Sequence, residues 1–157
     1  GAAGTVLRFM ALRAARIPGE HTLTGTERLF TRLPKNLLTL LRQLGSEVVL
    51  EKNRMSIKSR GWQVQGDGLY IDSSESSQFA SSVVLNSWQL EKPLHLNFGR
   101  NVASRGYLNM TFEFMRSLGF VWEDSEGGVY IPAEQEIKTP MVIALPIDTV
   151  PLLTRSL

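Results

Sequence analysis

Ser73-Ser74-Glu75-Ser76-Ser77-Gln78-Phe79 lies between a stretch that reads as strand and one that reads as helix. Ser76 or Ser77 can cap that helix, so hydroxyls and unpaired backbone N–H groups point at one spot. The helix dipole adds positive potential there, and together these features suit a phosphate. Taken alone, such a serine cluster is more often an ordinary cap. Ala2-Ala3-Gly4-Thr5 occupies the equivalent start of an earlier helix, where a glycine lets an anionic group approach the backbone. By itself it is a helix entry with no ligand.

The other candidate groups are cationic. Thr26-Glu27-Arg28-Leu29-Phe30-Thr31-Arg32 puts two arginines four residues apart, just before the helix of Leu37. A guanidinium binds carboxylate or phosphate through its planar fork, although such a pair is usually a solvated basic loop. Ser104-Arg105-Gly106-Tyr107 stands at the matching place further on and adds a hydroxyl, a cation and a phenol. The chemistry on offer is therefore anion binding. No Gly-x-Gly-x-x-Gly, P-loop, nucleophile elbow or metal motif occurs. His21 and His95 fall on strands and read as structural, and the sequon Asn109-Met110-Thr111 falls inside a helix.

An internal repeat supplies the elements that position these groups. Leu41-Arg42-Gln43-Leu44-Gly45 returns 74 residues later as Met115-Arg116-Ser117-Leu118-Gly119, and the same offset relates His21 to His95 and Gly25 to Gly99. Each copy opens on a helix, Ala2–Ala15 or Gln78–Trp88, followed by a strand, His21–Thr24 or Leu94–Phe98. Second helices follow at Asn36–Leu44 and Tyr107–Leu118, with Gly45 and Gly119 where a left-handed cap is expected. The pattern then turns β at Glu47–Leu50 and Phe120–Trp122, with hairpin strands ending at Leu69–Asp72 and Val129–Pro132. The order α, β, α, β, β predicts an α/β (α+β) fold, with mixed sheets packed on helices. The 157 residues divide into units of about 1–72 and 73–132, with an unmatched tail at 141–157.

Composition narrows the classes. The chain is 43% hydrophobic and 20% charged, which suits one compact domain rather than disorder. Without cysteine there is no disulfide or thiolate metal site, and two histidines cannot build a histidine cage. No apolar run approaches a membrane span. The opening Gly-Ala-Ala-Gly, with no methionine, reads as the edge of an excised or processed product. The formal charge of +2 suits a small anion as well as a polyanion. Arg28, Arg32, Lys35, Lys52, Arg54, Lys58 and Arg60 could serve a nucleic acid, but interspersed acids and the lack of a binding motif make them a solvated surface.

Gly4-Thr5-(two residues)-Arg8, Leu23-Thr24-Gly25, Arg28-(three residues)-Arg32, Ser76-Ser77-Gln78-Phe79 and Ser104-Arg105-Gly106-Tyr107 together resemble the 5-enolpyruvylshikimate-3-phosphate synthases in order and spacing. The likeness runs from about Gly1 to Ile131, with departures at Ala2, Leu33, Gly106 and Asn109. The resemblance implies two lobes, each of three βαβαββ units, with the active site between them. It implies enolpyruvyl transfer from phosphoenolpyruvate to the 5-hydroxyl of shikimate 3-phosphate, with no metal or organic cofactor. Ser76, Ser77, Gln78, Ser104 and Tyr107 would hold shikimate 3-phosphate. Gly4 and Arg32 would receive phosphoenolpyruvate, and Arg28 and Arg8 would support the site. The family's acid/base lysine, aspartate and glutamate fall outside this segment, so the chain is expected to be an inactive part of the substrate lobe. The alternative is a non-catalytic binding or scaffold domain that keeps only the fold. No nucleic acid or membrane partner is implied, and the location is bacterial-type cytoplasm with a plastid left open. With two units in place of three, the stripe Leu37, Leu40 and Leu44 is expected to lie uncovered and to invite self-association or a second lobe.

Overall fold

The computed structural model describes residues 2–66 and 68–138; the tail at 141–157 lies outside the described residues. The first half runs α1 (Ala2–Arg16), β1 (Gly19–Thr24), α2 (Glu27–Thr31), α3 (Lys35–Gln43), β2 (Glu47–Leu50) and β3 (Arg54–Ser59). The second runs β4 (Gly68–Tyr70), α4 (Gln78–Leu85), β5 (Leu94–Asn97), α5 (Arg105–Ser117), β6 (Glu123–Ser125) and β7 (Gly128–Ile131).

The strands form two sheets. One is antiparallel, in the order β1-β3-β2; the other is mixed, in the order β4-β5-β7-β6, with β4 parallel to β5. Gly68–Tyr70 therefore pairs with the second group of elements, and the first hairpin closes at Ser59 rather than at Leu69–Asp72. From β4 to β7 the order is β, α, β, α, β, β. The elements from α1 to β3 follow the same order with the short helix α2 added before α3, and without an opening strand among the described residues.

Local sequence explains most elements. Leu37, Leu40, Leu41 and Leu44 recur at helical spacing and are all buried. Gly45 (φ +86°) then ends α3: its N–H reaches the Arg42 carbonyl, and Ser46 N–H reaches that of Leu41. Gly119 (φ +91°) does the same after α5, with Phe120 N–H on the Met115 carbonyl. Only glycine takes this left-handed cap without strain.

Three further expectations are corrected. The Leu37–Leu40–Leu44 stripe is not uncovered, because α3 packs against α1 and β2 and all three side chains are buried. The exposed apolar side chains lie elsewhere, notably Val6 and Met10 on α1 and Met110 and Phe114 on α5. Phe120–Trp122 is not a strand; β6 begins at Glu123. Its apolar residues are core contacts: Phe120 is buried edge-on to Trp88, ring centroids 5.0 Å apart, and Trp122 lies against Phe112 at 4.7 Å. Finally, His21 and His95 are not equivalent. His21 pairs with buried Ile57 on the core side of its sheet, whereas exposed His95 pairs with Tyr130 on the outer side, between buried Leu94 and Leu96. A slip of one residue turns a strand's side chains to the opposite face.

The packing of α1, α4 and α5 decides where the site can lie. Near their starts, Gln78 on α4 bonds Thr5 and Arg8 on α1; near their ends, Arg16 bonds the Asn86 carbonyl. These two helices therefore run parallel. Ser77 contacts Ser104, and Ser81 contacts Thr111, so α5 runs parallel to α4 as well. Helix α4 is buried from Phe79 to Val84 between its neighbours.

Arg16 fixes the far end. It donates to the carbonyls of Asn86 (3.1 Å), Trp88 (2.8 Å) and Gln89 (2.9 Å), and its guanidinium lies over Trp62. Burial, reinforced by neighbouring Arg13 and opposed by Glu91, holds its pKa below the ordinary arginine value. Arg16→Ala is expected to cost about 2–4 kcal/mol, since three carbonyls lose a charged donor. Arg16→Lys should restore only part of this, because an ammonium lacks the fork. Urea midpoints of the three chains test this; an unchanged midpoint for Arg16→Ala would remove Arg16 as the tie.

Candidate functional site

Three helix starts come together at the end opposite Arg16. In an antiparallel bundle the macrodipoles would cancel; here α1, α4 and α5 are parallel, so their positive ends add. The first turns also carry unpaired N–H groups, the natural partners of an oxyanion.

At α4, Ser76 and Ser77 divide the work that either could have done alone. Ser76, one residue before the cap position, accepts from Gln78 N–H through Oγ at 3.2 Å, while its own proton has no partner among the described residues. Ser77 holds the cap position without a side-chain cap bond. It is buried, and its hydroxyl donates to the Ser104 carbonyl at 3.3 Å, joining the starts of α4 and α5. The preceding turn is set by Asp72. Its carboxylate accepts from the Ser74 hydroxyl (2.7 Å) and N–H (3.0 Å), which hold its pKa below the usual carboxylate range.

At α5, Ser104 adopts a left-handed conformation (φ 51°, ψ 44°) before the first turn. Such a conformation is uncommon outside glycine, and it is held by Tyr107 N–H on the Ser104 carbonyl and Ala103 N–H on that of Ser73. Tyr107 is exposed on this turn, and Arg105 lies over the Phe98 ring, 5.8 Å from its centroid.

The third start opens onto a cavity of about 420 Å³ between α1 and the α2 segment. Gly4, Arg8, Arg28 and Arg32 all line it. The arginine pair read as a loop is in fact a short helix, because Thr26 Oγ1 caps it by accepting from Leu29 N–H. That turn carries both exposed guanidiniums to the mouth of the cavity. No heavy atom lies within 4 Å of where a Cβ on Gly4 would sit, so its backbone faces open space. Among the described residues three cations and no carboxylate line the cavity, an arrangement that attracts a small anion.

Arg8 connects the cavity to the serine end. One guanidinium nitrogen lies 2.6 Å from Gln78 Oε1, and Gln78 Nε2 lies 3.3 Å from Thr5 Oγ1. The structure thus gathers Ser76, Ser77, Gln78 and Ser104 on one side and Gly4, Arg8, Arg28 and Arg32 on the other, with Gln78 and Arg8 in direct contact. From the sequence Thr5 enters only as part of the Gly4-Thr5-(two residues)-Arg8 motif and is given no role of its own, although it stands one turn before Arg8 on the same helix face. Among the described residues no group of three or more His, Cys, Asp or Glu side chains gathers as a metal cage requires.

Residues 1–150 match the EPSP synthase (3-phosphoshikimate 1-carboxyvinyltransferase) family. The chain belongs to the EPSP synthase family. The match takes in part of the tail at 141–157. A 3-phosphoshikimate 1-carboxyvinyltransferase from Bacteroides fragilis is 32% identical over 120 residues, covering 75% of this chain and 29% of that protein. The one from Aliivibrio salmonicida is 29% identical over 143 residues, covering 89% of this chain and 34% of that protein. The chain thus spans about a third of the length of these relatives. An EPSP synthase structure from Acinetobacter baumannii superposes with a TM-score of 0.63 at 18% identity, over 86% of this chain and 30% of that one. The enolpyruvyl transferase NikO from Streptomyces tendae gives 0.56 at 12%, over 87% and 31%. These structural likenesses establish the α/β fold. No helix among the described residues is long and apolar enough to cross a membrane.

Proposed function

We propose that this chain forms one wall of an EPSP synthase substrate cleft, in an enzyme that transfers the enolpyruvyl group of phosphoenolpyruvate to the 5-hydroxyl of shikimate 3-phosphate. Ser76, Ser77, Gln78, Ser104 and Tyr107 hold shikimate 3-phosphate at the starts of α4 and α5. Gly4 and Arg32 receive phosphoenolpyruvate in the neighbouring cavity, with Arg28 and Arg8 supporting them. The observation that carries this reading is the convergence of three parallel helix starts beside an arginine-lined cavity, bridged by the Arg8–Gln78 hydrogen bond. Two anionic reactants need neighbouring anion sites at a fixed separation, and this arrangement offers them.

The wall's part in the reaction is to bind, align and neutralise. The donors at the α4 start take a phosphate's oxygens, and the guanidinium forks offset the second reactant's phosphate and carboxylate. Affinity should be weak, since one wall alone leaves both ligands open to water. The test is chemical-shift perturbation by shikimate 3-phosphate at millimolar concentration. Amide signals of residues 76–79 are expected to move in the native chain and to stay still in Ser76→Ala/Ser77→Ala. Static native signals, or equal responses from both chains, would sink the assignment.

A further inference from the structure

We propose that Arg8 and Thr5 are positioning residues that lock the Gln78 carboxamide in one of its two orientations, so that the start of α4 offers an N–H donor to an oxygen of the bound ligand. The inference rests on the reading of that helix start as the substrate end, and it adds the chemical sign of the Gln78 contact.

A carboxamide has an accepting end and a donating end of nearly the same shape, and only its neighbours decide which way it points. Arg8 decides here. A guanidinium has no acceptor, so the Gln78 atom 2.6 Å from its nitrogen must be the oxygen. The amide nitrogen then lies on the other side, 3.3 Å from Thr5 Oγ1, where it donates one of its two protons. Thr5 and Arg8 stand three residues apart on α1, neighbouring positions on a helix face, and grip opposite ends of one amide. The grip is anchored to the core, because the Arg8 guanidinium also lies 5.8 Å over the ring of buried Phe79.

The alternative orientation is disfavoured on two counts. It would set the amide N–H groups against a guanidinium, donor facing donor in a half-buried place. It would also put the amide oxygen where Nε2 now stands, beside Thr5 Oγ1, and leave an acceptor in place of the N–H donor that an oxyanion needs. With the grip in place, the second Nε2 proton remains for a ligand. It has no protein partner among the described residues. A phosphate, carboxylate or hydroxyl oxygen fits this end, and an ammonium does not. Arg8 also lines the α1–α2 cavity, so the element that sets the donor at one subsite is a wall of the other.

The test uses the full chain and has two arms. Without ligand, the Gln78 side-chain amide is followed by proton–nitrogen correlation spectra. Thr5→Val keeps the shape but removes the acceptor, and the Gln78 Nε2 proton signals are expected to shift away from the hydrogen-bonded position; Thr5→Ser should return them. Unmoved signals in Thr5→Val would overturn the grip. In the second arm, shikimate 3-phosphate is titrated. Thr5→Val is expected to bind about three- to tenfold more weakly, with Thr5→Ser near native. Gln78→Glu keeps the shape and the Arg8 contact but offers no donor, so it should lose at least about tenfold. Native-like affinity in Gln78→Glu would overturn the donor assignment. A native chain that binds no shikimate 3-phosphate would instead sink the reading of the substrate end, a result distinct from failure of the ligand-free arm.

Discussion

A chain carrying Gly128→Ala is expected to lose about 3 kcal/mol or more of stability, a severe loss for a single added methyl. Gly128 opens β7 and pairs with Asn97 of β5. Its φ is not in the left-handed region, so the need for glycine comes from close approach and not from the turn. A Cβ there would fall on the Leu96 carbonyl and against Asn97 Cα, both backbone atoms. A side chain could swing aside; a strand backbone cannot. Strand β5 has no room to retreat, because its other edge is held by β4, and Leu96 and its partner Val129 are both core residues. Relief must come from parting β5 and β7, which breaks the mixed sheet in its middle. Since β5 leads through Phe98 and Gly99 to Ser104, the damage should also reach the start of α5. Gly106→Ala is the control: nothing lies within 4 Å of the added carbon, and stability should be unchanged or slightly raised. Urea unfolding of the three chains, compared at equal slope, decides it. A Gly128→Ala midpoint equal to the control would refute the close-approach argument.

How far the sequence could be read depended on whether a signal was local. The glycines that end α3 and α5 speak for themselves, since a helical stripe followed by glycine has one common meaning. Pairing is not local. Phe120–Trp122 has the apolar, aromatic composition of a strand, yet these residues cover Trp88 and Phe112, and the strand that follows them, Glu123–Ser125, is wholly polar. Gly68–Tyr70 follows β3 in sequence but joins β5, which lies beyond an intervening helix. The offset of 74 residues is right for Gly45 and Gly119 and wrong by a step for the histidines, because lengths differ between the copies before the strands are reached. A repeat seen in helices does not carry register into sheets.

The candidate site was legible as types and spacing and illegible as partners. The serines, Gln78 and the arginine pair declared donors, but sequence could not show that Ser77 spends its hydroxyl on Ser104, or that Ser76 accepts from the Gln78 N–H. Nor could it show that α1, α4 and α5 run parallel, the feature that turns three ordinary helix starts into one positive end. Thr5 and Arg8 meet Gln78 across 73 and 70 residues of chain. Only tertiary packing creates that contact, and it is the contact that joins the two halves of the site.

Mixed with shikimate 3-phosphate and phosphoenolpyruvate, the chain by itself is expected to form no product above the uncatalysed background. The proposed reaction adds a hydroxyl to the enol and later expels phosphate, so protons must be delivered and removed close to neutral pH. A group that does this must titrate in reach of the reacting atoms. The charged liners of the α1–α2 cavity are Arg8, Arg28 and Arg32, and among the described residues no carboxylate, lysine or histidine lines it. A guanidinium is too weak an acid for this task, and a serine hydroxyl or a carboxamide does not titrate near neutral pH. The described residues that line this cavity therefore offer no general acid–base assistance, a factor of about 10²–10⁴ where it operates. Alignment suffers too: reactants held from one side keep much of the freedom whose removal yields effective molarities of about 10⁵–10⁸ M. Phosphorus NMR on millimolar substrates can follow free phosphate and the enolpyruvyl product together. The amide spectra of the same samples separate the two causes, since ligand that moves residues 76–79 without product shows binding that lacks chemistry. Product forming in proportion to chain concentration, and abolished by Arg32→Ala, would overturn the expectation and would mean that the arginine wall alone supplies proton transfer.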